Sequence, residues 1–319
     1  MNTLPLRCAV IGVGYLGKFH AEKYAALKAV ALVGVVDHNE KTAQEIAKKN
    51  NTTAYTHYED LIGKVDAVSI VTPTLLHYEV AKFFLQNGVH VLVEKPITST
   101  LEQADELIAL AKQYKVLLQV GHLERFNRVI LALQGILNKP RFIEAHRIAP
   151  FTPRGADVNV ILDVMIHDID LICSMVNSPL TEIRANGTPI LTQQIDIANV
   201  RLQFANGCVA NVTASRAGLK TERRMRIFQE DAYISLNLHE KKLSVYRKGK
   251  GELFPGIPDV KISQEKFAKD DAIKTEISAF IDSIVNHKPT LVDGIAGRNA
   301  LKIAYDITTL IEKNLAELQ

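Results

Sequence analysis

The segment Gly12-Val13-Gly14-Tyr15-Leu16-Gly17 constrains the fold more than any other, because of the sequence on either side of it. A short apolar run, residues 8–11, precedes it, and a helix-like segment, residues 20–27, follows it. A second apolar run, residues 29–36, then ends at Asp37, 20 residues after Gly17. Glycines at this spacing are weak evidence alone. Between a strand and a helix, and followed by such an acid, they predict a dinucleotide site.

Each part of this motif has its own physical reason. Gly12 lets the chain turn tightly off the strand, Gly14 lets a pyrophosphate approach the backbone, and Gly17 lets the helix pack closely on the sheet. Free N–H groups at the helix start attract phosphates. Asp37 would bind both hydroxyls of the adenosine ribose and repel a 2′-phosphate, so we expect NAD rather than NADP. The alternative is a glycine-rich turn without a nucleotide.

Composition narrows the class of protein. The 319 residues suffice for two domains of ~150 residues each, and 47% hydrophobic residues supply two cores. A net charge of +3, from 38 basic and 35 acidic residues, gives no indication of nucleic-acid or membrane binding. Cys8, Cys173 and Cys208 lack metal-ligand spacing, so we expect buried thiols in a reducing compartment. Without a signal-like start or an apolar run of transmembrane length, a cytoplasmic protein is predicted.

The first 120 residues alternate strands with amphipathic helices, which is typical of a doubly wound parallel sheet. Residues 89–93 are apolar on both faces, as a buried parallel strand requires. Thr100 is the expected N-cap of the helix that follows it. The predicted strands are residues 7–11, 31–36, 67–70, 90–93 and 116–120.

From about residue 141 to residue 246 the pattern changes to closely spaced strand-like runs, with a hairpin signal at Asn206-Gly207. We therefore predict an α/β Rossmann domain over residues 1–123. An α+β domain over residues 124–319, with a large and mostly antiparallel open sheet, would bind substrate and form oligomers. Its predicted strands are residues 142–149, 197–204, 208–215, 224–229 and 232–238. Its predicted helices are residues 160–175, 272–286 and 294–315, and residues 248–258 are expected to form a surface loop.

Polar residues follow two of the predicted parallel strands. Thr72-Pro73-Thr74 ends one, and Glu94-Lys95-Pro96 ends the next. Ligands of open α/β sheets bind outside the carboxyl ends of the strands. There the Lys95 ammonium would lower the cost of negative charge on a reacting oxygen. The alternative is a lysine in a surface turn.

The helix predicted over residues 160–175 carries Asp163 and His167, which are four residues apart and so share a face, as do Ile166 and Asp170. A histidine beside a carboxylate is a candidate general base, because its ordinary pKa is near neutrality. The alternative is a capping or core histidine in a charged helix. No third ligand lies at recognisable spacing, so we predict no metal site.

Together these motifs resemble the glucose-fructose oxidoreductase / inositol dehydrogenase / MocA family, and the match extends to the segment at residues 290–294. The resemblance implies oxidation of a sugar hydroxyl to a ketone with NAD. It also implies that Lys95, Asp163 and His167 are catalytic and that Pro96 follows a cis bond. His20 fits the family pattern without an assigned role. The resemblance, together with the motifs above, places cofactor contacts at Gly12, Gly14, Tyr15, Leu16, Gly17, Asp37, His38, Thr72, Pro73, Thr74, His77, Glu94, Lys95 and Arg125. Substrate contacts are expected at Lys95, Arg125, Arg154, Asp163, His167 and Asp170.

Family membership leaves the substrate open, since members oxidise free sugars, inositols, sugar phosphates and nucleotide sugars. Residues 121–127 and 145–155 resemble the subgroup of UDP-N-acetylglucosamine 3-dehydrogenases, so we expect oxidation of such a nucleotide sugar at its 3-position. Several arginines would hold a diphosphate, unless they make ordinary ion pairs: Arg147, Arg154, Arg216, Arg223 and Arg224.

Three alternatives stay open at this point. The chain could oxidise a free sugar or inositol, act as a non-catalytic NAD-binding regulator, or be a reductase similar to biliverdin reductase. The last two would not need the set Lys95, Asp163 and His167. The open sheet of the second domain also predicts a homodimer or homotetramer.

Overall fold

The computed structural model describes residues 5–153, 155 and 158–317. The expected substrate contact Arg154 therefore lies outside the described residues. The chain divides into two compact units. The first runs to Phe126 and also includes Asp271–Asn299, whereas the second comprises Asn127–Asp270 and the residues from Ala300 onward. This division differs from the two contiguous domains that the sequence predicts, because a late segment of the chain packs with the first unit.

The strands and helices follow one another in this order along the chain. The strands are β1 (Leu6–Ile11), β2 (Val30–Val36), β3 (Thr53–Tyr55), β4 (Ala67–Ile70), β5 (His90–Glu94), β6 (Leu118–Gly121), β7 (Phe142–Ile148), β8 (Leu180–Thr188), β9 (Ile197–Phe204), β10 (Val209–Ser215), β11 (Glu222–Phe228), β12 (Ala232–Asn237), β13 (Lys242–Phe254) and β14 (Ile257–Lys266). The α-helices are α1 (Gly17–Ala26), α2 (Glu40–Lys49), α3 (His77–Gln86), α4 (Leu101–Tyr114), α5 (Arg128–Leu131), α6 (Ile166–Val176), α7 (Ala272–Val285) and α8 (Gly294–Glu317).

The sheet of the first unit confirms the predicted doubly wound architecture. Its six described strands pair in parallel in the order β3-β2-β1-β4-β5-β6. The order reverses direction between β1 and β4, which is the switch point where such sheets bind ligands. Thr100 caps α4 as expected, since its hydroxyl accepts the Gln103 N–H at 3.3 Å.

The core of the first unit explains why a late segment returns to it. Cys8 and Val10 of β1 are completely buried against Tyr24 of α1 and against Ile277 and Phe280 of α7. Burying an aliphatic or aromatic side chain contributes about 1.5–3 kcal/mol. Helix α7 therefore completes this core, although it follows the second unit in sequence.

The second unit contains the predicted open sheet. Its eight described strands have the order β14-β13-β12-β11-β7-β10-β9-β8, with β7 and β10 parallel and the other pairs antiparallel. Alternate residues face one core, which also contains Ile169 of α6 and Ile307 of α8. The helices thus cover one face of this sheet, as expected for an α+β unit.

One loop prediction was wrong, and two strands were missed. The predicted surface loop at residues 248–258 is a hairpin, in which β13 and β14 pair antiparallel across a turn at Pro255-Gly256. Lysines and glycines are also common in exposed edge strands. The composition of residues 248–258 therefore fitted an edge strand as well as a loop. The short β3 and the mostly polar β8, both at sheet edges, were missed.

The described cysteines are free thiols. Cys8 and Cys208 are buried, and burial raises the pKa of Cys208 to about 11. Among the residues that the structure describes, no helix is both long and apolar enough to cross a membrane.

Candidate functional site

The glycine turn between β1 and α1 has the close contacts that its sequence predicts. Gly12 has a φ of +81°, and a Cβ there would lie 2.7 Å from the carbonyl oxygen of Val71. A Cβ on Gly17 would collide with the carbonyl oxygen of Gly12. At Gly14, by contrast, a Cβ would meet no protein atom within 4 Å. Two of the glycines therefore close the turn, and the third leaves one side of it accessible.

Asp37 is fixed at the rim of this turn, directly after β2. One carboxylate oxygen accepts the Val13 N–H at 3.1 Å, and the other accepts the Asn39 N–H at 3.0 Å. The exposed His38 ring lies 3.2 Å from the same carboxylate. Each carboxylate oxygen retains a second acceptor position. The acid thus stays available to hydroxyl groups at this edge of the sheet.

The segment after β4 contributes further polar and apolar groups. The Thr72 hydroxyl oxygen is buried and meets no hydrogen-bond partner within the described chain. Pro73 is exposed and Thr74 begins a short 3₁₀ turn. Tyr15, in the glycine turn, and Leu75 expose 68% and 80% of their surface. Exposed apolar side chains beside an orphaned hydroxyl are typical of a ligand-binding edge.

His77 joins the ends of β4 and β5. Its Nδ1 lies 2.8 Å from the Pro96 carbonyl oxygen, and its Nε2 lies 2.9 Å from the Thr72 carbonyl oxygen. Burial lowers the pKa of His77, against the opposing effect of these two contacts. A neutral imidazole has a single N–H, so His77 donates to one of these two carbonyl oxygens and contacts the other, which links the ends of the two strands.

Lys95 follows β5 directly. Its backbone N–H donates to the Glu94 carboxylate at 3.3 Å, and the Lys95–Pro96 bond is cis, as the resemblance implies. Arg125 lies in the 3₁₀ turn Leu123–Phe126 after β6 and is partly buried. The candidate residues of the first unit therefore gather at the carboxyl ends of its strands.

These residues fit NAD. The N-terminus of α1 has no side-chain cap and the turn is open at Gly14, so the positive end of the helix can bind a pyrophosphate there. Asp37 would hold the adenosine ribose through its remaining acceptor positions. The orphaned Thr72 hydroxyl gives a bound dinucleotide one more polar contact.

The second unit holds the other catalytic candidates. Asp163 lies in a π-helical turn, Ile161–Met165, and His167 lies in the first turn of α6. A single regular helix was predicted over residues 160–175, whereas the structure has a π-helical turn followed by α6. π-Helical turns are frequent at functional sites. Asp170 is almost completely buried.

Two of the candidate diphosphate-binding arginines already have buried partners. Arg147 makes two hydrogen bonds to Asp168, at 2.8 and 2.9 Å. Arg216 donates to Asp196 at 2.6 Å and to the Gly155 carbonyl oxygen at 2.7 Å. The alternative of ordinary ion pairs is therefore correct for Arg147 and Arg216. Arg223 and Arg224 remain exposed on β11.

Comparison with known proteins gives the family. Residues 6–122 match the model of the oxidoreductase family with an NAD-binding Rossmann fold, and residues 133–235 match the GFO/IDH/MocA C-terminal domain. The chain belongs to the GFO/IDH/MocA oxidoreductase family. The resemblance stated from the motifs is thus confirmed, as are the NAD cofactor and the oxidoreductase activity.

Individual relatives within the GFO/IDH/MocA family differ in similarity. UDP-N-acetylglucosamine 3-dehydrogenase of Acidithiobacillus ferrooxidans is 42% identical over 96% of this chain and 97% of its own. A solved structure of that enzyme has a TM-score of 0.90 and covers 98% of this chain and 99% of its own, at 39% identity. The NAD⁺-dependent scyllo-inositol 2-dehydrogenase of Bacillus subtilis is 26% identical over 95% of this chain and 93% of its own.

Sequence reasoning missed three acids with structural roles. Asp168 and Asp196 hold the two buried arginines, and Glu276 lies close to His20 and Glu94. The helical spacing of Asp168 with the apolar Leu171 and Ile172, three and four residues later, could have indicated an acid facing the core. No local pattern connects Glu276 with Glu94, because they are distant in sequence.

Proposed function

We propose that this protein oxidises the 3-hydroxyl of UDP-N-acetylglucosamine to a ketone. The observation that carries the proposal is the 42% identity, over nearly the whole chain, to a UDP-N-acetylglucosamine 3-dehydrogenase. The inositol dehydrogenase of Bacillus subtilis is much less similar, at 26%. The catalytic residues are Lys95, Asp163 and His167.

The reaction needs a base and a group that stabilises negative charge. His167 accepts the proton of the sugar hydroxyl. The Lys95 ammonium stabilises the developing alkoxide. Asp163 orients the base. When bound, NAD⁺ supplies the acceptor for the hydride that leaves the carbinol carbon.

Substrate contacts are assigned to Arg125, Arg154 and Asp170 together with the catalytic residues. Because Arg147 and Arg216 are neutralised by buried acids, the diphosphate would rely on other basic groups, of which Arg223 and Arg224 are exposed.

The second candidate is a dehydrogenase of inositol or a free sugar, which the similarity to the Bacillus subtilis enzyme supports. A regulator without turnover is disfavoured, since the chain retains Lys95, Asp163 and His167.

The purified protein should form NADH from NAD⁺ with UDP-N-acetylglucosamine. The panel should include UDP-glucose, free N-acetylglucosamine, myo-inositol and scyllo-inositol, and His167→Ala serves as the control without a base. Turnover of an inositol but of no nucleotide sugar would establish the second candidate instead. Identification of the 3-keto product by mass spectrometry and NMR would fix the position.

We also propose that the protein is a cytoplasmic homodimer or homotetramer. On β7, β11, β12 and β13 the partly buried rings of Phe142, Phe228, Tyr233 and Tyr246 stack in register, with centroids 5.7, 4.9 and 5.1 Å apart. Their neighbours along each strand face the core, so this row lies on the opposite face of the sheet. Light scattering tests the oligomeric state. Tyr233→Glu should yield monomers, and a monomeric wild-type protein would exclude the proposed oligomer.

A further inference from the structure

Three ionisable side chains meet inside the first unit, each from a different element. His20 lies on α1, Glu94 ends β5 and Glu276 lies on α7, and one ligand atom from each lies within 4.8 Å of the others. His20 and Glu276 have no exposed surface, and the Glu94 side chain is 12% exposed. The proposed mechanism gives no role to this group of three side chains.

The cluster contains more acceptors than donors. No protein hydrogen-bond partner reaches either oxygen of Glu276 within the described chain, and the Glu94 carboxylate lies 3.3 Å from Nε2 of His20. Two buried carboxylates this close cannot both be charged without a large cost. Burial, and then the charge of Glu94, raise the pKa of Glu276 well above its ordinary value.

Glu94 connects the cluster to the catalytic lysine. One of its oxygens faces His20, and the other accepts the backbone N–H of Lys95 at 3.3 Å. On its far side, a Cβ at Gly121 would lie 2.9 Å from the Glu94 carboxyl carbon. The carboxylate is thus confined between β6 and the cluster, and its orientation fixes where the Lys95 backbone begins.

We propose that His20, Glu94 and Glu276 share a proton and act as a positioning group for Lys95. Glu276 keeps the proton at neutral pH and donates it toward the Glu94 carboxylate, across a gap that one enclosed water can span. Glu94 then keeps a single negative charge, directed at His20 and at the Lys95 N–H. Closed metal sites commonly use four protein ligands, whereas this cluster offers three and one of them already binds Lys95. A proton therefore suits the cluster better than a metal.

Other titratable groups face Glu276 from the elements packed around it. Burial raises the pKa of Tyr24 on α1 and of Cys8 on β1, so both stay neutral near pH 7. Lys23 bridges Glu22, at 2.8 Å, and Asp271, at 2.9 Å, so the group that joins α1 to the start of α7 carries one net negative charge. None of these groups supplies the charge that would ionise Glu276.

The first test detects the proton without any substrate. The infrared difference spectrum between wild type and Glu276→Gln at pH 7 should contain the carbonyl band of a protonated carboxylic acid. The control Glu45→Gln, at an exposed position of α2, should leave that band unchanged. Absence of the band, or one divalent metal per chain by mass spectrometry, would overturn the proposal.

The second test uses stability. The pKa of Glu276 is higher in the folded chain than its ordinary value of 4.5, which applies in the unfolded chain. The folded state therefore binds more protons above pH 4.5, and raising the pH further favours unfolding of the wild type. Glu276→Gln lacks this loss, so its Tm relative to wild type should increase from pH 4.5 upward. A Tm difference that does not change with pH would contradict the shared proton.

The third test rests on the proposed function and reports on Lys95. Glu276→Gln keeps a neutral donor and should retain kcat within about threefold, whereas Glu276→Leu removes it and should lower kcat about tenfold at similar NAD⁺ affinity. Equal loss in both variants would contradict the positioning role. If the wild type turns over no sugar, the proposed function fails, while the infrared and Tm results still decide whether the proton is shared.

Discussion

The two units treat buried polar groups differently. In the second unit two buried arginines and their acids are paired: Arg147 binds Asp168, and Asp196 accepts hydrogen bonds from Arg216 and from three backbone N–H groups of residues 190–192. In the first unit, the Thr72 hydroxyl and both oxygens of Glu276 are buried without a protein partner within the described chain. Buried polar groups are normally satisfied. The paired groups therefore maintain the fold, and the unpaired ones mark where the first unit serves NAD and Lys95.

The strongest test of this contrast removes one reactive group from each unit. Lys95→Ala and His167→Ala should each lower kcat by about 10³-fold, since charge stabilisation and general-base catalysis contribute that much. Calorimetry should show nearly unchanged NADH affinity in His167→Ala, and Lys95→Ala should still bind NADH. Full activity in either one would remove that residue from the mechanism.

A second test breaks the paired network. Asp196→Asn leaves Arg216 buried with its charge uncompensated, which should cost about 3–5 kcal/mol of stability, measured by urea unfolding. NADH affinity of the folded fraction should not change. Loss of NADH binding at unchanged stability would contradict the structural role.

The same variant also has a pH signature. Although burial opposes it, the hydrogen bonds from Ile190 and Arg216 lower the pKa of Asp196 well below its ordinary value of 3.8. Its stabilisation is thus complete above about pH 4 and is lost as the pH falls through the lowered value. The stability difference between wild type and Asp196→Asn should narrow in acid.

The glycine turn offers a matched pair within the first unit. Gly12→Ala places a Cβ against the Val71 carbonyl at a positive φ, and such strain costs about 1–3 kcal/mol. Gly14→Ala meets no protein atom and should keep the wild-type Tm, yet weaken NADH binding. Equal Tm loss in both variants would show that Gly14 has a structural role instead.

The smallest expected effect concerns cofactor choice. Asp37→Asn removes the charge that would repel a 2′-phosphate, so the preference for NADH over NADPH should fall by about tenfold. Competition binding of the two cofactors measures it. An unchanged ratio would mean that another group discriminates between them.

The sequence predicted the parallel sheet well because its evidence is local. Glycines that close a turn, and polar residues that end apolar strands, lie within a few positions of one another, as Gly12 and Asp37 illustrate. In the second unit the sequence predicted Asp163 and His167 as a pair but not the π-helical turn at Asp163, since five-residue hydrogen bonding has no sequence pattern of its own. The partners of Arg147 and of Glu94 were missed because tertiary contacts select them.

The return of α7 affects how the protein must be made. The core around Cys8 and Val10 includes Ile277 and Phe280 of α7. When the first 126 residues have been synthesised, their sheet therefore still lacks one of its covering helices. Residues Asn127–Asp270 must be synthesised before α7 can bury the apolar face of the first unit. The order of synthesis is therefore not the order of completion, and a fragment ending at Phe126 would leave that face open to water.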